Sequence, residues 1–277
     1  MTSVLGLWIW IFWDTPTLSD LPRNMAVPSV RITDRYGRIL YELIDKSGGR
    51  HTPVSIQKIP EDLKKATIAT EDRSFYQNPG VDIFGIIRAL WINLQGGETL
   101  AGGSTITQQV AKNLLLTKDE QFERTLRRKL RESWLAWKLT REFTKDEILG
   151  LYLNQMNYGA LAYGVEAAAQ TYFGKSVSEL DLAECALIAG IPQGPAVYNP
   201  LVYPEAALNR QHIVLELMIN QGSITKEQYE MTYHQPVIYN PAPYPMEAPH
   251  FILMVIAQVD ELLPERTLKA GNPIIVR

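Results

Sequence analysis

From Glu61 to Tyr233 the chain reads as one helix after another, and that run leaves few fold classes open. The helix starts are marked by a Ser or Thr followed three residues later by Glu, at Thr117/Glu120, Thr144/Glu147 and Ser176/Glu179. At this spacing the hydroxyl takes an orphan amide of the first turn while the carboxylate reaches back to the amide of the cap. Thr225 with Gln228 reads as another cap, and Ser104 or Thr105 as the cap of the helix that follows it. Ile148, Leu149, Tyr152 and Leu153 recur at helical spacing and predict a core stripe. No repeat of fixed period and no low-complexity run interrupts the pattern. Only Val30 to Tyr41, VRITDRYGRILY, alternates apolar and polar residues around Tyr36-Gly37 and predicts a short β-hairpin. The expectation is a compact, mainly α domain.

Composition then limits the chemistry. Of 277 residues, 46% are hydrophobic and 21% charged, enough to bury one large core. A net charge of −3, from 27 Lys+Arg and 30 Asp+Glu, argues against a globally basic nucleic-acid binder, so any positive charge needed for function must be concentrated. One cysteine, Cys185, and four scattered histidines exclude a disulfide framework, a Cys-rich zinc site and a CxxC redox motif. Acid/base chemistry on carboxylates, or no catalysis, is what remains.

The ends read differently from the middle. Val4 to Trp13, VLGLWIWIFW, carries no charge; a membrane span needs about 20 such residues, so residues 1–29 are expected to be part of a membrane anchor and a linker. The alternative is a buried N-terminal strand or helix. After Tyr239, NPAPYPMEAPHF is punctuated by proline, Phe251 to Leu263 is a new apolar-periodic helix, and the final IIVR resembles the start of a strand. The expected organisation is a domain over 30–240 and the beginning of a linker over 241–277.

Four segments carry chemistry. In ATEDRSFYQNPGVD, Glu71 ends a helical run beside Asp72, Phe75 and Tyr76; a carboxylate partly desolvated by aromatic neighbours becomes a better base near neutral pH. In GGSTITQQVAKN, glycines allow close approach, Ser104, Thr105, Gln108 and Gln109 offer neutral hydrogen bonds, and Lys112 a charge; such a set suits sugar hydroxyls together with a phosphate. In FERTLRRKLRESWLAW, helical periodicity puts Phe122, Leu126, Leu130, Trp134 and Trp137 on one face, with Arg124, Arg128 and Arg131 opposite and Glu132 beside them. Arginines in register are tolerated best around an anion, and their forks match a diphosphate. The bland readings are a solvated Glu-Asp pair, a capped helix, and a surface face with Arg128 and Glu132 as an i,i+4 pair. The fourth segment, from Thr144 to Lys175, reads as structure, and its YFGKS is not a phosphate loop because Ala169 stands where that motif needs glycine.

In this order and spacing, EDRSFYQNPG, GGSTITQQVAKN, RKLRE, KDEILGLYLN and LAECALIAGIPQGPAVYNP resemble the motifs of the family 51 peptidoglycan glycosyltransferases, the polymerising domain of class A penicillin-binding proteins. The similarity runs from about Arg31 to about Gln221. It implies a lysozyme-like α fold with a globular head and a small membrane-dipping jaw, and polymerisation of lipid II on the extracytoplasmic face of a bacterial cell membrane. By position, Glu71 would be the general base on the acceptor 4-hydroxyl. Glu132 would hold the diphosphate end of the donor, through a divalent cation (Mg or Mn) or through its basic neighbours. Lys112, Arg124 and Lys129 would contact the diphosphate together with Arg128 of the arginine face, and Ser104 and Gln109 would line the cleft.

The apolar run Ile83 to Leu94, IFGIIRALWINL, is the expected jaw surface, a buried core helix being the alternative. Asn78 departs from the many members that carry His there; an amide replaces a hydrogen bond but does not titrate. Ser55-Ile-Gln-Lys58 and Ser223-Ile-Thr-Lys226 match the Ser-x-x-Lys of a transpeptidase, but no Lys-Thr-Gly accompanies them, so the expectation is that the linker leads towards such a domain. The implied partners are lipid II, the growing glycan strand, membrane lipid and cell-wall synthesis proteins, with no nucleic acid. The rival readings are a lysozyme-like lytic transglycosylase and a non-catalytic scaffold that binds lipid II.

Overall fold

A computed structural model describes residues 10–25, 28–36, 39–43, 49–82, 103–123, 125–240 and 248–262. The jaw run 83–94, Arg124, most of the apolar N-terminal run and much of the region after Tyr239 lie outside the described residues. No helix among the described residues is long and apolar enough to cross a membrane.

Helices dominate, as the cap signals predict. After the short α1 (Leu21–Asn24) come α2 (Glu61–Glu71), α3 (Ile106–Leu115), α4 (Lys118–Phe122), α5 (Leu126–Glu142) and α6 (Lys145–Gln155). They are followed by α7 (Val165–Phe173), α8 (Leu182–Gly190), α9 (Pro204–Asn220), α10 (Lys226–Tyr233) and α11 (Pro249–Leu262). The boxes at Thr117/Glu120, Thr144/Glu147 and Ser176/Glu179 all form. Thr105, rather than Ser104, caps α3, with Gln108 closing the box. Asp181 and Glu184 build one more at the start of α8.

The predicted hairpin is present: β1 (Val30–Thr33) pairs antiparallel with β2 (Ile39–Leu43), while β3 (Arg50–His51) and β4 (Ala162–Tyr163) form a parallel pair of two residues each. Ile32 and Leu40 of the hairpin pack with Ile252 and Val255 of α11 in a small cluster of their own. The main core joins two helix groups, α2 with α8 and α9, and α3 with α5 and α6. Leu63 and Ala66, Leu187 and Val214, Val110, Leu135 and Leu149 are all buried within it.

The helix around Arg131 turns the opposite way from the expected face. Phe122 closes α4 and α5 begins only at Leu126, so Phe122 shares no helical register with the rest. Phe122, Leu126 and Leu130 are exposed, and the buried stripe is Arg131, Glu132, Leu135, Ala136 and Leu139. Burial of a charge is costly unless it is paired, and here the partners exist. Arg131 lies 2.7 Å from Glu120 and 3.1 Å from Asp14, and donates to the Asp14 carbonyl. Arg127 also donates to Asp14, and Phe12 packs on Trp134, so residues 10–14 lie along α5. Arg131 is therefore a buried tie between segments and not part of an open anion face.

The loop after α2 depends on one glycine. Gly80 has φ +96°, and a Cβ there would stand 2.5 Å from the Ala136 carbonyl oxygen of α5. An L side chain meets both backbone strain and a backbone clash at this position. Gly80→Ala is expected to destabilise the fold by at least about 2 kcal/mol, read as a lowered midpoint in denaturant with the m value unchanged.

Candidate active site

Glu71 is the last residue of α2, and α3 supplies its partner. Gln109 Nε2 donates to Glu71 Oε2 at 2.6 Å. Burial pushes the Glu71 carboxyl above the usual carboxylate range, and the neighbouring Asp72 adds to that; the Gln109 hydrogen bond and the charge of Arg210 act against it. Tyr152 of α6 and Tyr158 just beyond it are buried within electrostatic reach of Glu71, and burial with that negative charge holds both phenols neutral. The site is thus a half-buried carboxylate held by an amide, with two neutral phenols within electrostatic reach. Such a group accepts a proton more readily than a solvated one.

Asp72 ties the loop together. It is 6% exposed; Asn78 Nδ2 donates to both of its oxygens at 2.9 and 3.1 Å, and the amide of Ile106, at the start of α3, donates at 3.2 Å. Asn78 Oδ1 accepts from the Gly80 amide and from Lys145 Nζ at 3.2 Å. Thr105, the cap of α3, donates its hydroxyl to the Gly80 carbonyl at 2.6 Å. These bonds fix the end of α2 against the start of α3, so the Glu71–Gln109 contact is set by a rigid frame. Asn78 performs this bridging without a titrating group.

Cations gather at α5. Glu132, 2% exposed, accepts from Arg128 at 2.6 Å and from Lys129 at 2.5 Å. Lys129 Nζ also donates to Ser104 Oγ at 2.7 Å. Lys112, one turn beyond Gln109 on α3, makes no ion pair with any described residue. The structure therefore brings Glu71 to Gln109, and Ser104 to Lys129, Arg128 and Glu132. Helix α3 and the residue before its cap contribute to both groups. Arg124 is outside the described residues.

A divalent cation at Glu132 would take most of its oxygen ligands from the diphosphate and water, and both Glu132 oxygens are already paired with Arg128 and Lys129. No group of three His, Cys, Asp or Glu that could hold a metal occurs among the described residues.

Arg210, Tyr158, Asp72 and Lys145 were not marked by sequence reasoning as parts of the site. Arg210 had a signal: it lies with Gln211 in the stripe Ala207, Val214, Leu215 and Met218, where a helix burying that face should carry apolar residues.

Comparison with known proteins gives the family of the chain. The transglycosylase family is matched over residues 36–219. Penicillin-binding protein 1A of Aquifex aeolicus (strain VF5) is 53% identical over 184 residues, 66% of this chain and 25% of that protein. Penicillin-binding protein 1A of Escherichia coli (strain K12) is 42% identical over 253 residues, 87% of this chain and 29% of that protein. The chain thus spans less than a third of the length of these curated relatives. A crystal structure of Penicillin-Binding Protein 1A from Haemophilus influenzae aligns over 90% of this chain and 27% of that one, with a TM-score of 0.51 and 25% identity. The family match runs through the segments that carry Glu71, Gln109, Lys129 and Glu132 and covers well over half of the sequence, and on that ground the chain belongs to the transglycosylase family.

Proposed function

We propose that the chain is a peptidoglycan glycosyltransferase that polymerises lipid II into β-1,4-linked glycan strands on the extracytoplasmic face of a bacterial cell membrane. The observation that carries this reading is a half-buried base, Glu71 on Gln109, together with a separate cluster of cations built on α3 and α5. Glu71 takes the proton of the acceptor GlcNAc 4-hydroxyl as its oxygen attacks the anomeric carbon of the lipid-linked MurNAc. The bond to the undecaprenyl diphosphate breaks on the opposite face, and the configuration inverts. A diphosphate needs little protonation to leave, so the demand is for positive charge around it. Lys112, Arg128 and Lys129 supply that charge, with Arg124 assigned by position alone, while Ser104 and Gln109 line the cleft between the two ends.

Glu132 keeps Arg128 and Lys129 in place. The leaving charge is met in this reading by the protein's own cations, and polymerisation is expected to persist in excess chelator. Loss of all activity there, restored by Mg or Mn, would overturn that part. Trp10, Trp13, Phe122, Leu126 and Leu130 are large apolar side chains exposed to solvent. They support a membrane surface near this end of the molecule, where the donor's lipid would lie.

The test is incubation with lipid II and, separately, with polymeric peptidoglycan. Glycan strands from lipid II are the expected product. Fragments released from the polymer, with no strands formed, would favour the lytic reading; binding of lipid II without turnover would favour the scaffold.

A further inference from the structure

Arg210 is buried and charged, and the proposed reaction gives it no step. It is 4% exposed, on the face of α9 that packs against the core. Its Nε donates to the Gly190 carbonyl at 3.3 Å, and its guanidinium carbon lies 5.7 Å from the Tyr198 ring centroid. Gly190, the last residue of α8, makes room for it: a Cβ there would stand 2.8 Å from Arg210 Cγ. Among the described residues no carboxylate lies within ion-pair distance of this guanidinium. A buried charge without a paired partner is costly, and a helix stripe that needed only packing would carry an aliphatic side chain there.

Helix α9 packs directly on α2, whose last residue is Glu71, and the charges of Arg210 and Glu71 act on one another. Among the described residues the groups acting on Glu71 are few. Gln109 comes from α3, Tyr152 from α6, Tyr158 from the loop after it, and Asp72 is next in the chain. From α8, Cys185 lies within electrostatic reach of Asp62, at the other end of α2, and Glu184 pairs with Lys175. Arg210 is the cation of the set. We propose that Arg210 is a positioning residue for the base: an unpaired buried guanidinium that keeps Glu71 as the carboxylate able to accept the proton of the acceptor hydroxyl. This rests on the reading of Glu71 as base, and it adds a requirement that the recognised motif residues do not contain.

The test compares the full chain with Arg210→Lys and Arg210→Met in lipid II polymerisation across pH, alongside thermal unfolding. Without the cation, Glu71 holds its proton to higher pH. In Arg210→Met the acid limb of the rate profile is expected to move up by about one pH unit. Below the limb the rate falls about tenfold, and above it the rate returns towards that of the parent. Arg210→Lys keeps the limb in place. A loss that is uniform across pH, or an unmoved limb, would overturn the proposal.

Should Arg210→Met fail to fold, Gly190→Ala pushes the arginine stem aside while retaining its charge. It is expected to move the limb in the same direction by less, and an unmoved limb there counts against the idea equally. Carbon-13 NMR titration of the Glu71 carboxyl, assigned by its absence in Glu71→Gln, needs no turnover. A parent chain that fails to polymerise lipid II defeats the functional reading, whereas a Glu71 titration unchanged in Arg210→Met defeats the role of Arg210.

Discussion

Glu71→Gln is expected to cut lipid II polymerisation by about 10³-fold, within the range of about 10²–10⁴ associated with a positioned acid or base, while donor analogues that carry the diphosphate remain bound. The substitution is nearly isosteric, and its side-chain carbonyl can still accept from Gln109 Nε2, which now bonds to Glu71 Oε2. Binding at the cation cluster is untouched because Glu132, Arg128 and Lys129 are held by one another and by Ser104. The same variant should be more stable than its parent at neutral pH. Burial raises the Glu71 carboxyl above its unfolded value, so the folded state binds more protons than the unfolded state between the two values. Stability therefore falls as pH rises through that window, and above it the ionised carboxylate costs the fold its desolvation. Gln never ionises. The stabilisation of Glu71→Gln should be present at neutral pH and vanish below the pKa of an unfolded glutamate, measured by thermal unfolding at both pH values. Full polymerisation by the variant would remove Glu71 from the role of base. An unfolding midpoint below the parent's at neutral pH would instead show that the carboxylate is a structural group.

Much of this geometry follows from local sequence rules, and the rest fails to follow for a physical reason. Caps are local, so Thr117, Thr144 and Ser176 could be placed from a residue three positions away, and their helices begin where expected. Glu71 could be singled out by its aromatic neighbours and by the resemblance. Its contact with Gln109, 38 positions away, had no local signal. The face of α5 shows the limit most directly. Periodicity assigns apolar residues inward, but Arg131 is buried because Asp14 and Glu120 come from other segments to meet it. Leu126 and Leu130 are left outside. Partners distant in sequence decided the face, and hydropathy alone could not. Arg210 is the complementary case. An arginine in an apolar stripe is visible in the sequence, but what it is for depends on α9 lying against α2.

Glu132→Gln is expected to lower polymerisation by about 10²-fold without removing any group from the acceptor side. The carboxylate is nearly inaccessible and each oxygen holds one cation, with the Arg128 and Lys129 side chains 18% and 30% exposed. Neutralising it leaves two neighbouring positive groups on one helix turn with no charge between them. They repel, the forks lose their fixed orientation, and a displacement of about 1 Å at a charge-stabilising group is enough for a loss of this size. The stability cost should stay near 2 kcal/mol, below the 3–5 kcal/mol of a fully buried pair, because both cations can turn partly to water. Glu132→Asp tests the geometry separately from the charge: a chain shorter by one methylene cannot reach both cations as Glu does, so it should restore only part of the rate. A double-mutant cycle with Arg128→Ala distinguishes a pin from an independent catalytic carboxylate. If Glu132 acts through Arg128 and Lys129, the losses are strongly non-additive, the double variant being little worse than the poorer single one. Additive losses would mean that Glu132 meets the substrate directly.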